Sequence, residues 1–175
     1  MIFLGLDPGY ARLGFGVVQT GQTGKTETKA NAHSMPKYVD CGVIETPSTE
    51  KEPARLATIE AKLTELLHKY NVECCAVEKL YFGKNLTTGV SVLQARGVLL
   101  LTLHKFNIAP IEVSPNEVKK MISGFGHAGK SQMQLVVKNI LKLKEIPKPD
   151  DAADGLALAL YAWLYNRNHK IHRGV

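Results

Sequence analysis

Two short apolar runs in this chain each end in a single carboxylate. Ile2-Phe3-Leu4-Gly5-Leu6 closes in Asp7, and Cys74-Cys75-Ala76-Val77 closes in Glu78. Runs of four or five apolar residues bounded in this way read as buried strands. Buried strands belong in a central sheet covered by helices. Two further acids, Asp151 and Asp154, open the apolar stretch that runs to Leu164. Clustered acids repel and raise each other's pKa unless something positive sits between them. A hard divalent cation suits such a place, because Mg²⁺ prefers carboxylate oxygen. The pattern thus implies metal-dependent chemistry before it implies a substrate.

The remaining periodicities fill in the architecture. Phe15-Gly16-Val17-Val18 reads as a second strand and Tyr38 to Ile44 as a third. Short links between the first three strands imply an antiparallel meander. Residues 20–37, rich in Gly, Thr, Lys and Asn, read as an extended mobile turn. Leu56, Ile59, Leu63, Leu66, Leu67 and Tyr70 recur at helical spacing. Residues 72–77 are strand-like, and 86–106 form a long helical pattern with Val90, Leu93, Val98 and Leu101 on its apolar side, a face divided between core and dimer contact in a proportion the sequence leaves open. Residues 108–113 read as a short strand. Ser114-Pro115-Asn116-Glu117 is a capping box with Pro at the first helical position. Val118, Met121 and Ile122 follow on one face, and Met133, Val136, Val137, Ile140 and Leu141 mark another helix. A loop over 142–149 leads to a last long helix, 151–165. The order βββαβαβαα with a final helix predicts an α/β fold, with a mixed five-stranded central sheet and helices on both faces. One domain spans 1–165, and residues 166–175 read as a basic, flexible tail.

Composition narrows the partners. The chain carries +6, and residues 114–175 hold ten Lys and Arg against five Asp and Glu. Three of those five acids adjoin the proposed metal site, so a basic field surrounds a fixed acidic centre. That suits a polyanionic substrate such as nucleic acid. No apolar run reaches the length of a membrane span, and no signal peptide is read ahead of the first strand. Cys41, Cys74 and Cys75 lack metal spacing; the adjacent pair points to opposite faces of a strand. They read as core residues of a cytoplasmic protein.

Each acid alone has a plainer role. Asp7 before Pro8-Gly9 suits a turn, and Asp150 or Asp151 suits a helix N-cap. Together they form a set that can converge. Asp7 and Glu78 lie at the carboxyl ends of neighbouring strands. Asp151 and Asp154, three apart on a helix, share a face at the positive end of its dipole. Two ions held there can activate a water and stabilise the leaving oxygen in phosphodiester hydrolysis.

These residues also carry a resemblance. Leu4-Gly5-Leu6-Asp7-Pro8-Gly9, Gly14-Phe15-Gly16-Val17, Ala76-Val77-Glu78-Lys79, Lys84-Asn85 and Gln94-Ala95-Arg96-Gly97 resemble, in order, the RuvC family of Holliday-junction resolvases. So do Gly124-Phe125-Gly126, Gly129-Lys130-Ser131-Gln132 and Asp151-Ala152-Ala153-Asp154-Gly155-Leu156-Ala157. The resemblance implies a ribonuclease-H-like fold and a homodimer that nicks four-way DNA junctions symmetrically in recombination and repair. It assigns Asp7, Glu78, Asp151 and Asp154 as catalytic, metal-binding acids for up to two Mg²⁺ per subunit, with Mn²⁺ as the alternative ion. The 3′ oxygen would leave, giving 5′-phosphate ends. The resemblance makes Lys119 and Lys130 phosphate contacts, with Lys84 and Lys120 as further basic contacts. It places Tyr81, with Phe82 beside it, at the junction centre. A branch-migration helicase complex is the implied partner. Asp150 stands outside the Asp-Ala-Ala-Asp register and reads as a helix cap. The segment 20–37 is longer than the family leads one to expect.

Other readings are weaker. Gly124 to Ser131 matches the P-loop pattern literally, but a P-loop follows a buried strand. Here a capped, lysine-bearing helix precedes it. The turn can still present backbone N–H groups to a phosphate. Asp7-Pro8-Gly9 with Gly14 is also similar to the phosphate loop of actin-like ATPases, which need a second loop and more chain. His33, His104 and His127 are isolated, and Arg96 reads as a paired structural residue. The alternatives are a ribonuclease-H-like nuclease acting on RNA or hybrid, and a non-catalytic junction-binding module.

Overall fold

The computed structural model describes residues 1–21, 35–80 and 86–172. A five-stranded sheet forms from β1 (Ile2–Asp7), β2 (Arg12–Gln19), β3 (Lys37–Glu45), β4 (Cys74–Glu78) and β5 (Ile111–Val113). Its order is β3-β2-β1-β4-β5. β1 pairs antiparallel with β2, and β2 with β3, as the short links predict. β4 runs parallel to β1 and β5 parallel to β4. The helices are α1 (Glu52–Tyr70), α2 (Leu86–Lys105), α3 (Pro115–Ser123), α4 (Lys130–Leu141) and α5 (Asp150–His172). The α/β expectation, with a mixed sheet between helices, is met.

Strand alternation divides the core into two layers. Leu4, Leu6, Leu13, Val17, Cys75 and Val77 pack beneath α1 and α2. Phe3, Val18, Ala76 and Val113 pack against α3, α4 and α5. The same parity sends Asp7 and Glu78 to the α5 side. Cys74 and Cys75 face opposite layers, as read from the sequence.

Helix α5 lies unusually close to the sheet, because glycines line the seam. A Cβ on Gly5 would fall 2.1 Å from the Gly155 carbonyl oxygen, and one on Gly16 would fall 2.3 Å from the Leu156 nitrogen. A Cβ on Gly14 would meet the Asp151 carbonyl oxygen at 2.1 Å. These distances leave no room for a side chain, so the glycines fix how near the first turn of α5 comes to the strand ends.

The face of one helix and the extent of others differ from the sequence expectation. The core face of α2 is Ala95, Leu99, Thr102 and Leu103, while Val90, Leu93 and Leu101 are exposed. Apolar residues surround this helix on nearly every side, so periodicity could not orient it. Helix α4 begins at Lys130, a turn before its first buried residue, Met133. Helix α5 continues to His172, past the boundary read at residue 165. Its last turns are tied by side chains four apart: Arg167 lies over the Trp163 ring, and His169 stacks on Tyr165 at 3.8 Å between centroids. No helix among the described residues is long and apolar enough to cross a membrane.

Candidate active site

Asp7 is the last residue of β1, and Glu78 the last of β4. They stand one step beyond the paired Leu6 and Val77 of the parallel ladder, so they are neighbours on the α5 face. The turn after Asp7 is braced from beneath. Arg55 stacks on the Tyr10 ring at 3.8 Å and donates through Nε to Thr46 Oγ1 at 2.9 Å. Thr46 in turn donates to the Tyr10 carbonyl at 2.7 Å. Sequence reading missed this network, because Arg55 looks like one more charge on an amphipathic helix.

The acids share one electrostatic field. Burial first, then the charges of Asp154 and Asp151, push Asp7 up to about 6, with Lys130 opposing. Burial, then Asp7 and Asp154, push Glu78 up to about 7, with Lys119 opposing. Burial also raises Asp154, against the pull of Lys130. Such mutual shifts arise only where like charges lie near one another in partly desolvated surroundings.

Two cations hold the helix side of the cluster. Arg12 Nε lies 2.9 Å from Asp151 Oδ2, and its Nη2 lies 3.8 Å from Glu45 Oε1. Lys130 Nζ lies 3.1 Å from Asp150 Oδ2 and 3.6 Å from Asp154 Oδ2. Gln134 Nε2 donates to Asp150 Oδ1 at 3.0 Å. Asp150 is therefore tied to α4, where the sequence reading made it a helix cap. Arg12 and Gln134 were also missed. The apolar run of the second strand starts only at Phe15, yet β2 begins at Arg12, which shares the parity of Gly14 and Gly16.

The structure brings together Asp7, Glu78, Asp151, Asp154, Lys119 and Lys130. Lys120 is exposed on α3 and touches none of the acids among the described residues. Tyr81, Phe82 and Lys84 lie outside the described residues, as does most of the 20–37 segment. The literal P-loop match is a helix–turn–helix corner. Gly124 ends α3 in the left-handed region at φ 79°, and Gly129 is the N-cap of α4. The strand that a P-loop requires is replaced by α3, whose Ser114 capping box is fully formed.

As they stand, no three His, Cys, Asp or Glu side chains among the described residues converge closely enough to grip an ion. The donor set nevertheless suits one, since it offers only carboxylate oxygen and concentrates negative charge. Oδ2 of Asp151 is turned toward Arg12, and Oδ2 of Asp154 toward Lys130.

The family sequence model described as crossover junction endodeoxyribonuclease RuvC matches residues 3–162. The chain belongs to the RuvC family. A crossover junction endodeoxyribonuclease RuvC of Petrotoga mobilis is 42% identical over 170 residues, which is 97% of this chain and 98% of that protein. The RuvC of Thermotoga maritima is 43% identical over 168 residues, 96% of this chain and 94% of its own. Among solved structures, Thermus thermophilus RuvC in complex with a Holliday junction substrate superposes with a TM-score of 0.85 at 31% identity. That match covers 97% of this chain and 96% of the other. The ribonuclease-H-like expectation holds, and with it the assignment to the junction endodeoxyribonucleases. Nucleases of the RuvC family depend as a class on a divalent metal.

Proposed function

We propose that this chain resolves four-way DNA junctions by metal-assisted hydrolysis, with Asp7, Glu78, Asp151 and Asp154 as the acids of its centre. The observation that carries this reading is the shared field of Asp7, Glu78 and Asp154. They come from two strand ends and a helix start, and burial, with repulsion from neighbouring acids, holds all three carboxyls above their ordinary range. Up to two Mg²⁺, or Mn²⁺ in their place, would be held by these four residues. The chemistry such ions supply is activation of a water and stabilisation of the leaving oxygen.

The chain's own groups then have distinct tasks. Asp7 and Glu78 supply oxygen ligands from rigid strand ends. Arg12 fixes the orientation of Asp151. Lys119 and Lys130 offset the negative charge and meet the DNA phosphates, with Lys84 and Lys120 adding backbone contacts. Tyr81 or Phe82 stacks on unpaired bases at the crossover. Paired nicks need two copies of one site, so a homodimer belongs to this reading. The exposed Val90, Leu93 and Leu101 on α2 supply an apolar face for it. A branch-migration helicase partner and a cytoplasmic location complete it.

The test uses purified protein, Mg²⁺, a synthetic four-way junction, the matching linear duplex and an RNA–DNA hybrid. Symmetric nicking of the junction alone, abolished by a chelator, is the expected result. Equal cutting of junction and duplex sinks the reading. Preference for the hybrid moves the activity to another nuclease class. Binding of the junction without cutting leaves only a binding module.

A further inference from the structure

Asp150 opens α5 one residue ahead of the matched Asp-Ala-Ala-Asp register, and its side chain is 62% exposed. Its two oxygens are both engaged. Oδ2 takes the ammonium of Lys130 at 3.1 Å, and Oδ1 accepts from Gln134 Nε2 at 3.0 Å. Lys130 and Gln134 are one helical turn apart on α4, and Asp150 and Asp154 one turn apart on α5. Four side chains therefore clasp the two helix starts together, with Lys130 forked between Asp150 and Asp154.

Local stability does not explain this clasp. Lys130 follows the N-cap Gly129 directly, and α4 carries no acid in its first turn. A cation at the positive end of a helix dipole is disfavoured. Both partners of the Asp150–Lys130 pair are more than half exposed, where ion pairs add little. The lysine's place is set by what lies across from it.

We infer that Asp150 is a positioning residue that, steadied by Gln134, keeps Lys130 at the edge of the acidic centre. This rests on the nuclease reading above. Asp154 belongs to that centre. When its oxygens serve a cation, its hold on Lys130 weakens, and Asp150 alone retains the ammonium beside the reacting strand. The Gln134 hydrogen bond keeps the Asp150 carboxylate turned toward α4 in that state.

The test compares Asp150→Asn, Lys130→Met and the double variant with wild type. Single-turnover junction cleavage is followed across a Mg²⁺ titration, and junction binding is measured in Ca²⁺. Asp150→Asn should slow cleavage at saturating Mg²⁺ on the order of tenfold, the usual scale for a supporting group. Junction binding should be unchanged or tighter, because a negative charge near phosphate is gone. Half-saturating Mg²⁺ should not move, and the melting temperature should stay within about 2 °C. In the Lys130→Met background, Asp150→Asn should have no further effect, since it acts through that lysine. An unaltered cleavage rate, or the same tenfold loss in both backgrounds, overturns the inference. A raised half-saturating Mg²⁺ overturns it in favour of Asp150 as a metal ligand. Wild type that fails to cut the junction overturns the nuclease reading and this inference with it. Wild type that cuts as fast as Asp150→Asn overturns this inference alone.

Discussion

Replacing Asp7 by Asn should stabilise the metal-free protein at pH 8 while abolishing its cutting. Burial and the neighbouring Asp154 and Asp151 lift the Asp7 carboxyl from 3.8 to about 6. A rise of that size corresponds to about 3 kcal/mol against the ionised form in the folded state. The unfolded chain ionises near the ordinary value, so between those two values the folded protein holds a proton the unfolded chain has lost. Stability then falls as pH rises through that window and levels off above about 6. Asn has the same shape without the charge, and its amide can donate to the surrounding carboxylates. It must still be desolvated, so the expected gain at pH 8 is about 1–3 kcal/mol. For a domain of this size that is a rise in melting temperature of roughly 3–10 °C.

The assay is thermal unfolding of both proteins with a chelator at pH 4.5 and pH 8. The variant should melt higher at pH 8, and the difference should shrink at pH 4.5, where wild-type Asp7 is largely protonated. Excess Mg²⁺ at pH 8 should reverse the order, since binding to the folded wild type stabilises it by mass action and the variant has lost a ligand. A variant that melts lower at pH 8, or by the same margin at both pH values, would refute the reasoning. Asp7 would then be a turn residue held by its own hydrogen bonds.

Three other outcomes follow from particular contacts. Gly14→Ala places a methyl 2.1 Å from the Asp151 carbonyl oxygen; it should cost about 1–3 kcal/mol by chemical denaturation and remove most cleavage, as α5 is pushed off the strand ends. Arg12→Ala frees Asp151 from its 2.9 Å ion pair; unfolding should move by under about 1 kcal/mol, while half-saturating Mg²⁺ for cleavage rises on the order of tenfold. Glu112→Ala leaves Arg96 on α2 without its partner, with its Nε already buried and unbonded; the loss should be about 1–3 kcal/mol in urea unfolding, recovered in part by adding Arg96→Met.

Much of this arrangement was legible in the residues, for identifiable reasons. Strand parity puts Asp7 beside Phe3 and Gly5, and Glu78 beside Ala76, and the pairing of Gly5 with Ala76 turns both acids to one layer. The capping box at Ser114 gave the start of α3 because cap chemistry is local. Arg96 reads as a paired residue, and its partner is Glu112 on β5. What stayed hidden depends on distant contacts. The core face of α2 could not be chosen from a helix with apolar residues all round. Arg12 is recognisable only when β2 is extended back to residue 12, and Asp150 only when α4 is seen to pass beside α5. The last turns of α5 look polar in sequence. They are held by Arg167 on Trp163 and His169 on Tyr165, which no apolar period announces.

The glycine seam and the acidic cluster are one structural fact. Gly5, Gly14, Gly16 and Gly155 let the α5 backbone rest against the sheet, closer than any side chain would allow. That approach brings Asp151 and Asp154 over the ends of β1 and β4, where Asp7 and Glu78 already lie. The resulting repulsion is met in two ways. At the strand ends, Asp7 and Glu78 keep their protons toward neutral pH. At the helix start, Arg12 and Lys130 supply countercharge. Both are reversible at little cost in packing, because protons leave and exposed lysines swing. A divalent cation entering the cluster should therefore release protons and part Asp154 from Lys130, which Asp150 retains, without disturbing the core. The same close packing that forbids a side chain at four positions creates the field that a cation, and then a phosphate, can relieve.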